Sequence, residues 1–171
     1  MASLTEELIS VLEKEHEVYD RLIPITEQKT KVIISGNLEE LQKVTDKEQE
    51  IVDQVIALEK KREDIIVNMG TVLNRDPKTL KLKMMVKLLE KRPEEQKKLA
   101  ILHDLLTAQL KRVAEQNEKN KMLINQSLEM IQIELNLIQS SRMTPGTGNY
   151  TKGATTVDVP VAGTGMFDAK Q

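Results

Sequence analysis

Over most of its length this chain repeats one pattern: aliphatic residues return every three or four positions, and Glu, Lys and Gln fill the gaps. That spacing follows the 3.6-residue turn of an α-helix and leaves one apolar stripe per helix, which must be covered by another helix. Aromatic residues are confined to Tyr19, Tyr150 and Phe167, and there is no Trp. Any core is therefore aliphatic and drawn from long helices lying side by side.

Ser3 and Glu6 have the spacing of a capping box and start the first helix. Its stripe runs through Leu4, Leu8, Val11, Val18, Leu22, Ile25 and Val32, with polar interruptions at Glu15 and Lys29. The period predicts one narrow seam, and Pro24 inside it predicts a kink rather than a break, because the apolar register agrees on both sides. Gly36 supplies a left-handed stop and Asn37 an N-cap, so a second helix follows at once, antiparallel to the first. Its seam is Leu41, Val44, Glu48, Ile51, Val55, Leu58, Arg62, Ile65 and Met69. Each arm is roughly 50 Å long at 1.5 Å per residue, and two narrow seams cover each other only partly.

A loop is predicted from Gly70, then a short helix from Pro77 to about Glu90, started by Asp76 as cap and proline in the first turn. Seven Lys or Arg lie between Arg75 and Arg92 against Asp76 and Glu90, a local charge of +5. Either this basic side complements the acidic hairpin or is solvated, or it docks an acidic partner. Pro93 opens the last helix, which continues to about Ser141. Its seam reads Leu99, Leu102, Leu106, Leu110, Val113, Asn117, Asn120, Ile124, Leu128, Ile131, Leu135 and Ile138. The two asparagines either fix register inside the seam or face a partner. After Thr144 the composition shifts to Gly, Thr, Pro and Val, with five of the seven glycines, which predicts a flexible tail. The expected class is all-α: an elongated antiparallel hairpin with a short helix and a long third helix in a coiled-coil-like bundle over residues 1–141, and a tail over 142–171.

Several function classes drop out on composition. The net charge of -2, with both signs interspersed, gives no basis for a nucleic acid partner. The chain has no cysteine, which removes disulfides, thiolate metal sites and cysteine nucleophiles. No apolar window reaches about eighteen residues, so membrane insertion is not expected, and the acidic start around Glu6 and Glu7 is unlike a secretory signal. A cytoplasmic protein follows. His16 has Glu13, Glu17 and Asp20 at helical spacing and His103 stands beside Asp104, yet neither has a second histidine within a turn or two. Phosphate-loop, dinucleotide and nucleophile-elbow patterns are absent, so the expectation is a binding protein with no enzymatic activity, metal or cofactor.

One feature exceeds what a hairpin can cover. With Ile131 at the origin of a helical wheel, Ile124, Leu128, Leu135 and Ile138 fall within about 60° as a buried seam should. Met122, Leu123, Met130, Ile133 and Leu137 form a second stripe roughly 80° to 180° away. Such surplus predicts contact with another chain, and methionines adapt to varied apolar partners. The competing expectation is ordinary core, closed by the short helix, the tail or a homodimer seam.

The order of elements, the Ser35-Gly36-Asn37-Leu38-Glu39-Glu40-Leu41 turn, and the runs Asn117-Glu118-Lys119-Asn120-Lys121-Met122-Leu123 and Gln126-Ser127-Leu128 together resemble the FlgN family of flagellar export chaperones. The likeness spans about residues 1–141 and continues weakly into Asn149 to Gly153. It implies an ATP-independent cytoplasmic chaperone of flagellar type III secretion. Such a chaperone keeps the terminal helices of hook-associated junction proteins unassembled and delivers them to the export gate. The family's client surface lies toward the C-terminal helix, which assigns client binding to Met122, Leu123, Met130, Ile133 and Leu137. By the same resemblance Tyr150 is the candidate for docking on the cytoplasmic domain of the export gate. Pro24 and the glycine-rich tail depart from the family pattern.

Overall fold

The computed structural model describes residues 3–143. Helix α1 spans Leu4–Ser35, α2 Leu38–Leu73, α3 Leu82–Leu88 and α4 Pro93–Met143, with a 3-10 turn at Pro77–Thr79 between α2 and α3. The described residues are all-α, without strands. The chain divides into two units, Met1–Ile133 and Glu134–Gln171. The first holds the three-helix packing; within the second, the described part is the final stretch of α4.

The caps form as their residue types dictate. The Ser3 side chain accepts from the Glu6 N–H while the Glu6 carboxylate accepts from the Ser3 N–H at 2.8 Å. Gly36 adopts φ 68°, a conformation that costs a side chain but not glycine, and Asn37 accepts from the Glu40 N–H at 3.1 Å. This tight turn fixes α1 and α2 antiparallel. The polar interruptions in the two seams then pair off: Glu15 with Arg62 at 3.1 Å and Lys29 with Glu48 at 2.5 Å. The two pairs lie two heptads apart in each helix, so one register satisfies both.

Helix α4 runs parallel to α1 and shares clefts with α2 as well. Gln109 donates to Asp20 at 2.7 Å, and further along both helices Arg112 donates to Glu27 at 2.5 Å and Asn120 to the Thr26 carbonyl at 3.0 Å. Facing both helices, α1 is broader in its burial than one narrow seam. Ile9, Leu12, Tyr19, Ile23 and Ile33 are buried as well, whereas Ile25 and Val32 are half-buried. The core joins Leu8, Leu12, Val18 and Leu22 of α1 to Val55, Ile65 and Met69 of α2 and to Leu99, Leu102 and Leu106 of α4. Helix α1 continues through Pro24, whose ring is exposed.

Three boundaries differ from the sequence expectation. Helix α2 does not stop at Gly70 but continues to Leu73 and ends on Asn74 at φ 49°. Gly70 instead admits close packing: a Cβ there would stand 2.8 Å from Pro77 Cγ and 2.9 Å from the Arg75 carbonyl oxygen. The short helix breaks in two because Leu80, buried with Met85 against the core, turns inward between the 3-10 turn and α3. The α4 seam also ends early. Leu110 is exposed, and beyond the half-buried Ile124 so are Leu128, Ile131, Leu135 and Ile138.

Candidate interaction surface

Where α4 passes the α1–α2 turn, it is held by polar contacts. Asn120, only 3% exposed, donates to the Thr26 carbonyl and accepts from the Thr30 hydroxyl at 2.6 Å; Gln116 also donates to that hydroxyl. Asn120 therefore fixes register inside the chain. Asn117 behaves differently: it is exposed and lines a cleft of about 400 Å³ with Lys29, Glu48 and Lys121.

Past this lock the surface turns apolar. Val32, Ile33, Leu38 and Leu41 around the turn face Ile124, Leu128 and Ile131 of α4 across an open cleft of about 230 Å³, with Gly36, Asn37 and Ser127 completing the rim. Leu128 and Ile131 are 58% and 52% exposed. On the adjoining side of α4, Met130, Ile133 and Leu137 are 63%, 66% and 69% exposed, and Met122 is exposed as well. Leu123 is half-buried and shares a shallow surface with Glu118, Lys119 and Met122 along its own helix. Of the five residues singled out in the second stripe, four thus stand open. The former seam residues stand open too, so the uncovered aliphatic area of α4 is wider than one stripe. Sequence periodicity missed the contribution of the turn residue Leu38, largely exposed, because its wheel position says nothing about which helix ends beside it. Tyr150 lies outside the described residues.

The polar core elsewhere is structural in its geometry. Glu15 is 1% exposed; burial pushes its pKa up, the Arg62 guanidinium opposes this, and Glu59 adds to the rise. One carboxylate oxygen meets Arg62 and the other has no protein partner. Burial likewise raises the Tyr19 hydroxyl, helped by Glu59 and Glu15. Gln109, buried beside His16 and Asp20, donates to the His16 carbonyl and the Asp20 carboxylate. His16 and His103 pair with the carboxylates of Asp20 and Asp104. Among the described residues no three His, Cys, Asp or Glu side chains converge on a metal position, and no helix is long and apolar enough to cross a membrane.

An open aliphatic cleft beside a longer open aliphatic helix, on a frame held by buried polar pairs, is an arrangement suited to receiving another helix rather than to bond chemistry. Neither curated proteins nor solved structures give a match to this chain. A family model, described as FlgN protein, matches residues 1–158. The chain belongs to the FlgN family of flagellar export chaperones.

Proposed function

We propose that this chain captures the helical termini of hook-associated junction proteins, keeps them from assembling early, and delivers them in the cytoplasm to the cytoplasmic domain of the export gate. The observation that carries the reading is the exposed aliphatic run of α4. Met122, Met130, Ile133 and Leu137, with Leu123 at its half-buried edge, offer more apolar surface than a lone helix leaves in water. An amphipathic client helix laid along it would lie next to the side of α4 that carries Leu128 and Ile131 and borders the turn. Each such side chain contributes about 1.5–3 kcal/mol when fully buried, so a handful suffices for useful affinity after ordering costs. Tyr150 is assigned to gate docking on the family resemblance alone.

The test is Ile133→Asp combined with Leu137→Asp. Both side chains are already in solvent, so helicity and melting should stay within about 0.5 kcal/mol of the parent, while capture of a junction protein in a pull-down is lost. Collapse of the fold would make the stripe core and sink the reading. The same surface also suits a homodimer seam. Light scattering separates the two, since a tight dimer that ignores added client would replace the chaperone reading with a structural one.

A further inference from the structure

The opposite end of the first unit carries a second surface, of different chemistry. The α2 terminus, the 3-10 turn and α3 bring Arg75, Lys78, Lys81, Lys83, Lys87 and Lys91 to one end, all exposed and none within ion-pairing distance of a described carboxylate. The close approach of Gly70 to Pro77 and the Arg75 N–H to Gly70 carbonyl bond at 2.9 Å hold this segment against α2. Leu80 and Met85, buried in the core, turn the apolar side of α3 inward and leave its lysines out. Lys81 and Lys83 share a cleft with Glu59 and Glu63, so Arg75, Lys78, Lys87 and Lys91 are the least compensated. Aliphatic side chains stand among them: Val72, Leu73 and Leu88 are exposed.

We propose that this end binds the surface of an anionic lipid bilayer peripherally. Five of the six cations are lysines. A specific carboxylate surface on a protein favours arginine, whose planar fork pairs with two oxygens, and lysine is depleted at protein interfaces. A diffuse array of lipid headgroups needs only charge density, and lysine stems reach over apolar surface with their ammonium groups in water. Protruding aliphatic side chains among the lysines add the shallow apolar contact that peripheral association uses. A nucleic acid strand is disfavoured because it would lie along the flanks, where α1 and α2 each carry net negative charge. A planar surface approaching this end meets the lysines beside the exposed carboxylates of Glu6, Glu7 and Glu94, which they outnumber.

The experiment is co-sedimentation of the full chain with vesicles of phosphatidylcholine, with and without about one quarter phosphatidylglycerol. Binding to the anionic vesicles only, released at about 0.3 M salt, is expected. Lys87→Glu with Lys91→Glu should weaken it by at least about thirtyfold. Lys119→Glu with Lys121→Glu, exposed on α4 and identical in charge change, should leave it near the parent value. Circular dichroism confirms that both variants stay folded. No binding to anionic vesicles at low salt overturns the proposal, as does equal loss in the two variants, which would reduce the effect to net charge. Equally tight binding of a single-stranded oligonucleotide or of polyglutamate overturns the lipid assignment in favour of any polyanion.

Discussion

Glu15 and Arg62 show how a polar position can belong to a seam. Glu15 interrupts the stripe of α1 and Arg62 sits in the stripe of α2, and each supplies the charge the other lacks. Burial raises the Glu15 pKa above its ordinary value. Protonation therefore favours the fold, an effect complete below the ordinary carboxylate range and lost as pH rises through the elevated folded value. The ionised carboxylate depends on Arg62. Arg62→Ala should cost about 2–3 kcal/mol at pH 7, below the figure for a fully enclosed pair because Arg62 keeps some solvent contact. The loss should shrink at a more acidic pH, because the orphaned carboxyl, already raised by burial, takes up a proton there. Urea unfolding at the two pH values checks this; an equal loss at both would mean that Arg62 acts through its aliphatic stem alone. Gln109 was illegible in the sequence for the same reason that Glu15 was only half legible: burial of a polar side chain depends on partners across the interface, here Asp20 and the His16 carbonyl.

At the scale of elements, what periodicity and caps determine was readable. The α1 and α2 limits at Ser3 and Gly36-Asn37 follow from residues whose conformational preferences are local, and the α2 seam is buried or half-buried at each expected position. What depends on neighbours was not. A wheel cannot show that α1 faces two helices, that Leu80 turns inward, or that the cover on α4 ends near Ile124. The uneven cover of α4 has a measurable result. From Leu99 to Asn120 its inner face is packed, whereas from Leu128 onward its aliphatic side chains lie in solvent, and a helix without packing is only marginally stable in water. Amide exchange should be slow over Leu102 to Asn120 and faster by at least about tenfold over Leu128 to Ile138, with protection recovered on adding client. Uniform protection in the free chain would show that something already covers this stretch.

For the whole molecule, the first unit separates two kinds of surface: an aliphatic cleft at the Gly36 turn and a lysine-rich end where α2 finishes. On the two proposals, capture and placement can be altered independently. On the proposed function, removing residues 144–171 should leave capture of a junction protein unchanged while lowering the amount exported. Undiminished export into the medium would take Tyr150 out of consideration.

The amide lock at Asn120 matters once anything pulls. It sits just inside the cleft, anchored to a carbonyl and a hydroxyl of α1, so a load applied at Leu128 or Ile131 reaches two tethered helices instead of peeling one away. On the proposed function, a cargo tugged from the cleft would pull against this joint as well as against its own contacts.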